Sequence, residues 1–312
     1  MRLILPVHDV VTAHQLHYEI PTAEFYAGFS LPEWTEKFGS SAELNKRAHL
    51  NGHDGEGWEF VETLRAVCGT AHLHLAMNAR HYTPEQLAYS DYIIARIAEL
   101  GAEAVIISDP ALIPIVCRHG LRASVSTIFG AYNADLVKYL RDRGAHRIIL
   151  PRDLSLHEIE AIIHDVPDIE YECFVMLEGC RFSNSHCMTK NPLLHFCHYV
   201  DQAATDFCYT PGYERIAGDA TANNAAFHTL ASRSCGVCAL YDLMQMGVAA
   251  GKVVGRALPG SAITGQARIL QKYLNFAKTC RTREEYLAHT PDWRTNSACH
   301  NGLRCYYPEA RD

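Results

Sequence analysis

Eight short apolar runs recur along the chain, and several of the gaps between them carry amphipathic patterns. The runs fall at 3–7, 24–29, 72–78, 104–109, 123–127, 147–151, 170–175 and 252–256. The amphipathic stretches lie at 58–67, 84–100, 132–143 and 155–164. Strands that are apolar almost throughout belong in parallel sheets covered on both faces. Parallel strands need long crossovers, and a helix is the usual one. Eight such units in about 260 residues predict an α/β fold, a (β/α)8-type TIM-like barrel. A doubly wound sheet is the alternative. Either way, ligands gather at the C-terminal ends of the strands.

Local signals support this division. Thr83 before Pro84 and Ser155 before Leu156 are expected N-caps. Gly101, Gly120 and Gly144 each follow a helical stretch, where a helix commonly stops.

The alternation breaks after the seventh strand. Residues 176–240 form an insertion with little periodicity. Six of the twelve cysteines lie between Cys180 and Cys238, namely these two with Cys187, Cys197, Cys208 and Cys235. Loops this long inside a compact domain are usually functional or held by something. The expected division is 1–289 for the barrel with its insertion, and 290–312 for a polar and aromatic tail carrying Cys299 and Cys305.

The first residues, with Pro6, His8 and Asp9 breaking a short apolar stretch, read as a strand rather than a signal peptide. No apolar run approaches the roughly 20 residues that span a bilayer. The expectation is a cytoplasmic protein with no membrane partner. Thiols stay reduced there, so clustered cysteines point to metal or catalysis rather than disulfides. Thiolate sulfur suits iron–sulfur clusters and zinc alike. Cys235-Gly-Val-Cys238 is a C-x2-C pair with His186, His195 and His198 nearby in sequence, so spacing alone leaves the two metals even. Cys68, Cys117 and Cys173 lie in or beside apolar elements and read as small hydrophobes. The formal charge of −7 weakly disfavours RNA as a partner, because phosphate binders usually carry a basic face.

Five segments in order, over roughly residues 23–256, resemble the peptidase U32 family. Ala23-Glu-Phe-Tyr-Ala-Gly28 is similar to its A-D-x-V-Y-x-G. Gly144-Ala-His-Arg-Ile-Ile-Leu-Pro-Arg-Asp-Leu-Ser-Leu-His-Glu-Ile159 resembles its G-x-x-R-v-v-L-a-R-E-L-S-l-x-E-I. Glu172-Cys-Phe-Val followed by Cys180-x6-Cys187 resembles its E-x-F-V-H-G-x-x-C-x6-C. Lys190-Asn-Pro-Leu-Leu-His-Phe-Cys197 is similar to its R-D-P-N-x-G-x-C. Cys235, twelve residues before Gly247 and followed by Gly251-Lys-Val-Val-Gly-Arg256, resembles D-L-C…G…K-I-E-G-R.

The resemblance implies a (β/α)-barrel with a [4Fe–4S] cluster on Cys180, Cys187, Cys197 and Cys235. It implies oxygen-independent hydroxylation of a quinone precursor or an RNA base, with prephenate as oxygen donor. Its peptidase name implies collagenase-like proteolysis, the rival activity. A metal-stapled subunit serving a protein partner, or a homo-oligomer, is the non-enzymatic reading. Cys208, Cys238, Cys299 and Cys305 fall outside the matched four and are open to a second metal or a partner. The chain departs from the family at Met176 and Leu177, where His and Gly are usual, at Ser183-Asn184-Ser185, at Asp153 and at Val254. None of these is a matched cysteine.

Other motifs are absent. His157-Glu158 has no second histidine at 161, and no G-x-S-x-G elbow or P-loop occurs. No catalytic acid, base or nucleophile is identified. Arg152, just past the sixth strand, is the candidate anchor for a small anionic substrate, because guanidinium pairs with carboxylate through two bonds. His72 and His74 alternate on one strand, face the same side and are candidate substrate contacts in the lumen.

Overall fold

The structure, a computed structural model, describes residues 1–40, 42–45, 55–180, 185, 232–255, 258–292 and 305–311, with backbone alone at 178–180 and 232–234. The barrel strands are β1 (Arg2–Pro6), β2 (Glu24–Ser30), β4 (Leu73–Met77), β5 (Ala104–Ile107), β6 (Arg122–Val125), β7 (Ala145–Ile149), β8 (Glu170–Cys180) and β10 (Ala250–Val253). Each expected run contains one of them. They pair in parallel in the order β1-β2-β4-β5-β6-β7-β8-β10, and β10 returns to β1, so the sheet closes. This is the expected TIM-like barrel. Two short strands lie off the ring. β3 (Gly55–Glu56) extends β2, and β9 (Ser232–Cys235) runs antiparallel to the end of β8.

The helices are α1 (Val10–Glu19), α2 (Pro32–Phe38), α3 (Gly57–Cys68), α4 (Pro84–Glu99), α5 (Ile113–Arg118), α6 (Ala134–Arg141), α7 (Leu156–Asp165), α8 (Leu240–Gln245), α9 (Gly260–Thr279) and α10 (Arg283–Leu287). Each longer one turns an apolar stripe inward. On α3 the stripe is Val61, Leu64 and Cys68; on α4 it is Ile93, Ile94 and Ile97; on α7 it is Leu156, Ile159 and Ile162. These spacings of three and four put the residues on one face. Burying one such side chain contributes about 1.5–3 kcal/mol.

The cap signals act as expected. Thr83 Oγ accepts from Gln86 N while Gln86 Oε1 accepts from Thr83 N, and Ser155 and Glu158 repeat the exchange. Each exchange satisfies two backbone donors that the helix itself leaves open. Gly144 follows α6 at φ +99°, which favours glycine.

The described end of the chain packs on the barrel. The Tyr307 hydroxyl donates to Phe174 O and that of Tyr306 to Leu177 O, at 3.0 and 2.7 Å. Leu156 N, the first amide of α7, donates to Glu309. No described helix is long and apolar enough to cross a membrane.

Candidate functional site: a charged lumen and a thiol-bearing rim

Alternation within β2, β4, β7, β8 and β10 aims one polar set into the lumen. Glu24, His74, Arg147, Glu172 and Lys252 are all buried. Arg147 stands at the centre. Its Nη1 lies 2.5 Å from Glu24 Oε2 and 3.3 Å from Glu172 Oε2, and its Nη2 lies 3.1 Å from Glu24 Oε1. Nε and Nη2 both donate to Glu170 Oε2, at 2.9 and 2.5 Å. Arg2 Nη2 lies 2.8 Å from Glu24. Lys252 Nζ donates to Glu172 Oε1 at 2.7 Å and stands 3.7 Å from the centre of the Tyr26 ring. Three carboxylates thus face three cations, the pairing that buried charges require.

Burial raises the pKa of Glu24, but hydrogen bonds from His74 and Arg147 outweigh it and hold the carboxyl well below its usual range. Glu170 is held down to about 2, by His146 and then, against burial, by Arg147. His146 Nε2 is 3.6 Å away, long for a hydrogen bond, so Arg147 is its stronger partner. Burial pushes the His74 pKa down, against the pull of Glu24. With the carboxylates already matched, His74 stands neutral.

Glu24, His72 and His74 offer three ligand atoms within 4.8 Å of one another. Both oxygens of Glu24 already meet guanidinium, so this group reads as part of the ion network. The expected substrate histidines therefore sit at the N-terminal floor. His74 Nε2 lies 3.0 Å from Glu24 Oε2, and His72 just precedes β4.

Arg152 sits at the other end, in the loop after β7. It is buried, with its guanidinium 4.3 Å from the centre of the Phe174 ring. Phe174 stacks in turn on Tyr306, 16° from parallel. Register puts Lys252 beside Phe174. A column of charge and aromatic face thus runs from floor to rim.

The thiols gather at the same rim. Cys180 ends β8, where its backbone pairs with Ser232, and Cys235 ends β9 opposite Met176. Cys235 also bridges in parallel to Cys305. Gly130, in the loop after β6, has φ +81°, and a Cβ there would lie 2.6 Å from Ser185 Cβ. Ser185 belongs to the insertion, two residues before Cys187, so that part of the insertion rests on the rim. Soft sulfur donors at the C-terminal end of a barrel suit an iron–sulfur or zinc centre. The other two matched ligands, Cys187 and Cys197, lie outside the described residues, as do Cys208 and Cys299.

The remaining cysteines divide. Cys68 and Cys173 are buried. Burial pushes the Cys68 thiol up to about 11 and lifts that of Cys173 as well, as expected of packing residues. Cys117 corrects the expectation: it is exposed, its Sγ 3.4 Å from Gly144 O. Sequence reasoning missed Glu24, Arg147, Glu170, Glu172 and Lys252 as a set. Their signal was a charge at alternating positions inside runs that are otherwise apolar.

A family model described as Peptidase family U32 matches residues 43–311. The tRNA hydroxylation protein P of Escherichia coli (strain K12) is 39% identical over 94 residues, which cover 30% of this chain and 21% of that protein. The tRNA hydroxylation protein P of Helicobacter pylori (strain J99) is 26% identical over 159 residues, 48% of this chain and 37% of that one. The chain thus matches only about a fifth to a third of the length of these curated relatives. A solved U32 peptidase, Mk0906, superposes with a TM-score of 0.39 at 15% identity, over 60% of this chain and 85% of that one.

Proposed function

The chain belongs to the peptidase U32 family, and from that premise we propose that it is an iron–sulfur enzyme of oxygen-independent hydroxylation. The observation that carries this reading is the gathering of thiols at the C-terminal end of β8, above a lumen whose floor is sealed by ion pairs. The names of the matched relatives support the reaction class. Cys180, Cys187, Cys197 and Cys235 would hold a [4Fe–4S] cluster, and bound there it would supply one-electron chemistry.

The chain's own residues prepare the rim. Arg152, braced on Phe174, binds a carboxylate of the oxygen donor, for which prephenate is the candidate. Glu172 fixes Lys252 and keeps a second cation at the same level. The floor network keeps water from crossing the barrel. The acceptor proposed first is an RNA base, after the relatives' names. The charge of −7 favours a second reading, a small-molecule acceptor, since a phosphate backbone would meet net repulsion.

The test uses protein purified without oxygen. Iron and sulfide should be present together, with broad thiolate-to-iron absorption. Incubated with a reductant, prephenate and unmodified tRNA, it should add one oxygen atom to a nucleoside, read by mass spectrometry. Zinc without iron would sink the cluster. Oxygen transfer to a quinone precursor and not to tRNA would select the second reading.

A further inference from the structure

We propose that Cys235, Cys238 and Cys305 are thiolate ligands of one metal centre, which fastens the C-terminal segment to the rim of the barrel. The proposal rests on the reading above to the extent that Cys235 is common to both. It assigns a ligand role to Cys238 and Cys305, which the family resemblance leaves without one.

Geometry brings the three together from two places in the chain. Cys235 and Cys305 are partners in a parallel bridge, and Tyr306 N donates to Cys235 O at 2.9 Å. Bridge partners project to one face of the sheet from strands about 4.8 Å apart. Cys238 follows inside the 3-10 turn Val237–Ala239. That makes Cys235 and Cys238 a C-x2-C pair on a tight turn, the spacing that chelates a single metal or cluster iron. The three sulfurs do not close within 4.8 Å of one another, as the atoms of Glu24, His72 and His74 do. They need a centre to draw them in.

The surroundings favour a charged sulfur site. All three cysteines are half-buried. The phenols of Tyr273 on α9 and Tyr286 on α10 are lifted above their usual range, first by burial and then by the charges of Cys235 and Cys238. The same two rings therefore flank both thiols. Anchors on either side hold Cys305 in place: the Tyr306 and Tyr307 hydroxyls on β8, and Arg283 Nη2, which donates to Ala310 O at 2.9 Å. Three thiolates leave one position for a fourth donor.

The experiment compares the full chain with Cys238→Ser, Cys305→Ser, Cys187→Ser and, as control, Cys280→Ser, all purified without oxygen. Iron, sulfide and zinc are counted per chain after dialysis against a chelator, and hydrogen exchange is followed at 305–311. Cys238→Ser and Cys305→Ser should each lose at least about tenfold in retained metal, a 1.4 kcal/mol weakening, with faster exchange at 305–311. Cys280→Ser should match the parent. Cys305→His keeps a donor atom and should retain metal, which separates lost ligation from lost folding. Full metal in both Cys238→Ser and Cys305→Ser would overturn the proposal. If Cys187→Ser alone strips iron, this inference falls and the cluster reading stands. If the metal is zinc and depends on Cys238 and Cys305, this inference stands and the cluster reading falls. A Cys235–Cys305 disulfide in the metal-free parent, seen as the loss of two hydrogens by mass, would also overturn it.

Discussion

Arg147 and Glu24, 123 residues apart, join across the barrel lumen through two nitrogens and two oxygens, at 2.5 and 3.1 Å. The same guanidinium serves Glu170 and Glu172. A single side chain on β7 thus ties β2 to β8 through the interior, independently of the backbone ladder.

Replacing Arg147 with Met should leave buried carboxylates uncompensated. Removing one partner of a buried ion pair costs about 3–5 kcal/mol. Urea denaturation should show the midpoint falling with an unchanged slope. Pairing Arg147→Met with Glu24→Gln should recover part of the loss, because the most buried orphan charge is then gone.

Acid should destabilise the fold in two stages. His74 is kept neutral by burial, so below the free-imidazole value of about 6.5 the unfolded chain binds one more proton than the folded one. Stability therefore begins to fall there. Glu170, held down to about 2, adds stability that is full above its unfolded value of about 4.3 and is lost as pH falls toward 2. Denaturation midpoints between pH 8 and 3 should follow this course. His74→Gln should flatten the first stage and Glu170→Gln the second.

Arg152→Lys should not be a mild change. Lysine keeps the charge but loses the planar fork and its stacking on Phe174. Calorimetry with prephenate should show affinity falling about tenfold or more, equal to 1.4 kcal/mol. Equal affinity for parent and variant would remove Arg152 from the donor site.

Tyr307→Phe deletes the hydroxyl that donates to Phe174 O. The carbonyl left behind is buried, and such an orphan costs about 1–3 kcal/mol. The effect should appear as faster hydrogen exchange at 305–311 before any shift in the global unfolding midpoint.

Iron-replete protein should not turn over casein or gelatin. Peptide hydrolysis needs an activated nucleophile, or metal-bound water beside a base, and a fully thiolate-ligated cluster offers neither. Peptidase activity that survives loss of iron and disappears on mutating one residue of this chain would reverse the assignment.

The eight barrel strands were legible because parallel strands buried on both faces appear as nearly unbroken apolar runs. The capping boxes at Thr83 and Ser155 were legible because their partners lie three residues away. Helix α1 was not, because it exposes Val11 and Tyr18, at 77% and 83%, and this blurs its apolar stripe. The lumen network was not, because Glu24, Arg147 and Lys252 meet only through register and barrel closure. The pairing of Cys235 with Cys305 spans a long separation for the same reason. Arg152 was placed at the rim by its position after a strand, but its seat on Phe174 needed the structure.

Closure of the barrel on β10 sets an order for synthesis. Strand β1 is made first, yet one of its edges finds its partner only when residues 250–253 leave the ribosome. Until then the nascent chain carries two open edges, on β1 and on β8, with the insertion still to be threaded between β8 and β10. Exposed edges of this kind recruit other chains. Translation that stalls between residues 180 and 250 should therefore yield aggregates, whereas release after residue 253 should not.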